Sequence, residues 1–81
     1  MIEPAEVKKL IEAGLPGAVV EVTGDGSHFE ATVITDAFAG KRTLERHQMI
    51  NATMGDRFQT GVVHALSIKQ CATPAEQAEG R

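Results

Sequence analysis

Residues 62–69, Val62-Val63-His64-Ala65-Leu66-Ser67-Ile68-Lys69, constrain the fold of this chain more than any other stretch. They are rich in the β-branched residues that strands prefer, and they follow a period of two. Val62, His64, Leu66 and Ile68 are expected on one face, which reads as core, with Val63, Ala65, Ser67 and Lys69 on the other. His64 stands at the entrance of this strand. An imidazole there is either packed and hydrogen-bonded or held at a rim where a metal or a partner reaches it, and the stretch by itself leaves both readings open.

The remaining elements can be read around that strand. Pro4 to Ala13 is expected as a helix, with Pro4 at the first helical position, Glu6 in the first turn and Val7, Leu10 and Ile11 on one stripe. Gly14, Pro16 and Gly17 end it. Ala18 to Thr23 reads as a strand with Ala18, Val20 and Val22 on one face. Gly24-Asp25-Gly26-Ser27 has the composition of a hairpin loop, and the return strand opens at His28 with Phe29, Ala31 and Val33 turned inward. Beside such a loop a histidine is ordinarily solvated. Asp36 to Gly40 forms a connection, with Phe38 as an apolar plug and Gly40 as a break.

From about Arg42 to Met54, Leu44, His47, Ile50 and Met54 recur at helical spacing, and His47 on that stripe reads as a packed, structural residue. Gly55 to Gly61 interrupts the pattern, with Phe58 anchoring a single turn. Thr73-Pro74-Ala75-Glu76 is a capping-box sequence for a short last helix, and residues from about 78 to 81 are expected to fray.

The order helix-strand-strand-helix-strand-helix implies an α+β fold. A tight loop makes the first two strands antiparallel, whereas a helix between the second and third is long enough for a right-handed parallel crossover. The result is a mixed three-stranded sheet with helices on one face. Parallel neighbours lie about 4.8 Å apart, so the N-terminal ends of the second and third strands, carrying His28 and His64, fall at one edge. Two imidazoles are incomplete as a metal site, since zinc takes about four ligands. Outside groups would have to finish it.

Composition narrows the function. A single domain of 81 residues buries only roughly 60 to 65% of its unfolded surface, and so thin a core favours a binding module over an enzyme. A net charge of -3 and a pI near 5.5 weigh against general phosphate-backbone binding. One local exception is Lys41, Arg42 and Arg46, expected to be exposed, which reads either as an ordinary solvated face or as one that grips a phosphate, a carboxylate or an acidic partner. With no Trp or Tyr, a row of stacking platforms for single-stranded nucleic acid is missing. Gly24-Asp25-Gly26 lacks the Lys and the following helix of a phosphate cradle, and no Ser-His-Asp arrangement suggests a hydrolase. Cys71 is the one cysteine, so no intrachain disulfide forms. No apolar run nears the ~20 residues of a membrane span, and the expectation is a soluble, cytoplasmic protein.

Four segments together resemble the BolA family: Phe38-Ala39-Gly40-Lys41-Arg42-Thr43-Leu44, Arg46-His47, Val63-His64-Ala65-Leu66-Ser67-Ile68, and a hairpin Gly24-Asp25-Gly26-Ser27-His28-Phe29 like that of its bacterial IbaG-type branch. Thr73-Pro74-Ala75-Glu76 is similar as well. The resemblance implies a fold similar to a class II KH domain and a non-enzymatic role in iron-sulfur trafficking, iron homeostasis and stress response. It further implies a monothiol glutaredoxin as partner and a two-iron two-sulfur cluster shared with that partner and glutathione, with His64 as one ligand and His28 as the second. The chain alone would hold no cofactor, and a homodimer is left open. Met49, Asn51 and Gln77 depart from the family pattern and reduce the basic surface. The other reading is a KH-like nucleic-acid-binding transcriptional regulator using Lys41, Arg42 and Arg46.

Overall fold

The computed structural model describes residues 2–79. Helix α1 (Pro4–Gly14) starts at a proline whose missing N–H costs nothing there, and Glu6 Oε1 accepts the Glu3 backbone N–H at 3.3 Å. Its buried stripe is Val7 and Ile11. Strands β1 (Val19–Gly24) and β2 (His28–Ile34) form the antiparallel hairpin, and β3 (Ala65–Ala72) lies parallel to β2, so the sheet order is β1-β2-β3. Between β2 and β3 run a 3₁₀ turn (Asp36–Phe38), helix α2 (Thr43–Ala52) and the one-turn helix α3 (Arg57–Thr60). Helix α4 (Pro74–Ala78) follows, with Thr73 Oγ1 accepting from Glu76 N at 3.2 Å and Glu76 Oε1 from Thr73 N at 3.0 Å. It is still helical at Ala78, Glu79 is its C-cap, and the last two positions of the expected frayed tail, 80–81, lie outside the described residues.

One core serves all of these elements. Val7 and Ile11 of α1 and Ile50 and Met54 of the α2 region meet Val20, Phe29, Ala31 and Val33 from the sheet, with Phe38 and Val63 closing the ends. Glu21, Thr23, Glu30 and Ser67 alternate with the inward residues and remain exposed, so α1 and α2 cover one face of the sheet. The two helices approach closely: a Cβ on Gly14 would come 2.5 Å from Thr53 Cγ2.

The structure departs from simple strand and helix periodicity at three places. First, β3 begins at Ala65 rather than Val62, and the alternation before it is inverted: Val63 is wholly buried and Val62 is 44% exposed. The chain leaving α3 is still turning there, with Val63 N bonded to Arg57 O at 3.1 Å, so strand periodicity has not yet begun. His64 is accordingly exposed and not part of a core face. Second, the β2–β3 register shifts between Ala31 and Thr32, leaving Lys69 as an extra residue, and Cys71 rather than Gln70 sits opposite Val33 against the core. Third, Leu44 is 68% exposed. Buried contact on α2 comes through Ile50 near its C-terminal end, and the first turn extends past the packed layer.

Candidate histidine site at the hairpin edge

The hairpin loop is ordered by one carboxylate oxygen. Asp25 Oδ1 accepts the backbone N–H of both Ser27 and His28, each at 3.0 Å, and Asp25 N donates to His28 O at 3.3 Å. These bonds, that from His28 foremost and then that from Ser27, hold the Asp25 carboxyl below its ordinary range. The backbone can close this tightly because Gly26 takes φ +101°, which L side chains rarely adopt. At Gly24 a Cβ would come 2.5 Å from His28 O, so the strand pair reaches its tightest point with no side chain between.

His64 arrives at the same place from the other end of the sequence. Gly61 closes α3 at φ +81°, and the backbone N–H groups of His64 and Ala65 both donate to Ser27 O at 3.2 Å. A Cβ on Gly61 would lie 4.0 Å from His64 Nε2, an ordinary contact, so it is the positive φ that calls for glycine there. The backbones of the two histidine segments therefore meet, as the parallel crossover requires.

Their side chains border separate depressions. The register pairs His28 with Ala65, while His64 lies just before β3, where strand alternation does not yet hold. His28 borders a shallow depression of about 380 Å³ with Asp25, Glu30 and Ser67. His64 borders one of about 340 Å³ with Gly26, Ser27, Thr60, Gly61 and Val62. Both histidines are exposed. Among the described residues no group of three or more His, Cys, Asp or Glu could hold a metal ion. Two exposed imidazoles with no third protein ligand suit a metal centre shared with a second molecule, and do not suit a resident single-metal site.

The basic patch is smaller than the sequence suggests. Lys41 and Arg42 are exposed, but the Arg46 side chain is only 11% exposed and faces inward. Its Nη1 and Nη2 donate to the two Glu76 carboxylate oxygens at 2.7 and 3.0 Å, Nη1 donates to Cys71 O at 2.9 Å, and Nε donates to Lys41 O at 3.0 Å. The guanidinium also lies 5.6 Å from the centroid of the Phe38 ring, which is fully buried. This is the physical reason Arg46 is corrected from a surface cation to an internal tie: planar donors matched to a carboxylate fork and two carbonyls are worth more inside than in water. Glu76 carries no sequence signal for this role beyond its capping position, because its partner is 30 residues away.

Gly40 is exposed at φ +76° after the Phe38 turn, and His47 is half-buried on α2. Cys71 is half-buried, and burial pushes its thiol up while Arg46 partly offsets the effect. It follows the histidine end of β3 by a whole strand length.

Comparison with known proteins agrees with this fold. The family model for BolA-like proteins matches residues 11–76. The acid stress protein IbaG of Escherichia coli is 31% identical over 80 residues, which cover 99% of this chain and 94% of IbaG. BOLA2 of Arabidopsis thaliana is 44% identical over 59 residues, 72% of this chain but only 61% of the length of BOLA2. The structure of a BolA homologue from Coxiella burnetii superposes with a TM-score of 0.84 at 38% identity, over 96% of this chain and 99% of the other. Among the described residues no helix is long and apolar enough to cross a membrane. On motifs, topology and family match alike, this chain is a member of the BolA family.

Proposed function

We propose that this protein is a non-enzymatic, cytoplasmic partner of a monothiol glutaredoxin, with which it shares a two-iron two-sulfur cluster in cluster trafficking or iron homeostasis. The observation that carries the reading is the meeting of two remote segments at Ser27 O, which brings two exposed histidines to one end of the sheet. His64 and His28 would hold one iron, and the glutaredoxin cysteine and a glutathione thiolate would hold the other. Bound there, the cluster supplies a one-electron centre, and imidazole in place of thiolate raises its reduction potential. The chain's own contribution is to keep both rings accessible and their backbones fixed. Since imidazole ligates only when neutral, capture weakens on acidification. That fits the acid-stress setting named for the relative IbaG.

The test is to mix the protein with cluster-loaded monothiol glutaredoxin and record visible absorption and circular dichroism. A new spectrum is expected with the wild-type chain, abolished by His64→Ala and weakened by His28→Ala. Identical spectra for wild type and His64→Ala would overturn the ligand assignment. The nucleic-acid reading loses support because Arg46 is engaged internally, leaving Lys41 and Arg42 on a chain of net charge -3.

A further inference from the structure

We infer that Asp25, which is not itself a ligand, is a positioning residue for His64 across the sheet, acting through the Ser27 peptide. Two contacts carry this. Asp25 Oδ1 accepts Ser27 N–H at 3.0 Å, and the carbonyl of the same Ser27 accepts His64 N–H and Ala65 N–H at 3.2 Å. The same carboxylate oxygen takes His28 N–H at 3.0 Å. One atom therefore fixes the backbone of one histidine directly and that of the other at one remove.

The local sequence makes this tie necessary. Gly24 and Gly26 flank Asp25, so the loop backbone is more permissive than any other short stretch of the hairpin, and a carboxylate accepting two N–H groups supplies the order that side-chain packing cannot. His64 cannot be held by burial either, because it is exposed. The neighbouring tether, Val63 N to Arg57 O at 3.1 Å, anchors the chain on the α3 side and leaves the orientation of the next residue to Ser27. The placement of both histidine backbones is thus set by one carboxylate.

The consequence for cluster capture rests on the proposed ligand role; the coupling within the chain does not, and the two are measured separately. Amide hydrogen exchange is followed by NMR on the chain alone for wild type, Asp25→Ala and Asp25→Asn, the last retaining an acceptor oxygen. Asp25→Ala is expected to speed exchange about tenfold at Ser27, His28, His64 and Ala65, with Val63 unchanged and the melting temperature near wild type. Asp25→Asn is expected to restore all four amides. Titration against cluster-loaded monothiol glutaredoxin should show an about tenfold weaker capture for Asp25→Ala, rescued by Asp25→Asn. If Asp25→Ala loosens Ser27 and His28 but leaves His64 and Ala65 at wild-type rates, Asp25 orders only its own turn and the inference is overturned. The ligand reading stands or falls on the wild-type and His64→Ala spectra, whatever exchange reports.

Discussion

Asp25 links local turn chemistry to the behaviour of the fold in acid. Its backbone hydrogen bonds hold the folded-state carboxyl below the ordinary value of 3.8. A group with a depressed folded pKa stabilises fully above its unfolded value, and that contribution is lost as pH falls through the folded one. Urea midpoints followed from about pH 5 to about pH 2 should therefore fall for wild type, with Asp25→Asn giving a shallower slope on this limb. An identical slope in both proteins would remove Asp25 from the acid response. The histidines are legible in sequence as residue types, but their register against one another is not. It depends on Ala65 rather than His64 pairing with His28, a one-residue register choice that periodicity does not fix.

At the scale of elements, the contact that motif reading misses is the Arg46 tie. It joins α2 to α4 through Glu76, to β3 through Cys71 O and to the loop before α2 through Lys41 O. Arg46→Lys keeps the charge and loses the fork, and should cost about 1–2 kcal/mol; Arg46→Ala should cost about 2–3 kcal/mol. The upper figure is held down because the Glu76 side chain is 41% exposed, and solvent screens part of the pair. Urea denaturation is the check, with the midpoint moving and the slope constant. A loss no larger than that of an ordinary surface pair would return Arg46 to the basic patch. The strand elements are more readable: Phe29, Ala31 and Val33 turn inward as alternation predicts, because β2 is central and its side chains meet helices on one face only. Alternation fails at Val62 and Val63 because the chain there is still leaving a helix, and at Gln70 and Cys71 because Lys69 is bulged out.

For the molecule as a whole, a small core makes each large side chain count. At about 0.05–0.15 kcal/mol per residue, a chain this short has a stability of about 4–12 kcal/mol. Phe38 is fully buried between the core and the Arg46 guanidinium. Truncating it to Ala should cost about 3–5 kcal/mol, a large part of the total. Phe38→Ala is therefore expected to be marginally folded at 25 °C, with its urea midpoint displaced far toward zero; a midpoint near wild type would mean the site collapses around the smaller side chain.

The sequence by itself determined the order and type of the main elements, the mixed sheet, the capping box at Thr73 and the meeting of the two histidine-bearing strand ends. These follow from periodicities, turn residues and crossover rules that act over a few residues or through connectivity alone. Only the tertiary structure decided that Ala65 rather than His64 pairs with His28, that Arg46 is internal, and that Cys71 replaces Gln70 against the core. Each of those depends on register or on contacts between residues far apart in the chain, where the energy lies in matching geometry and no local pattern records it.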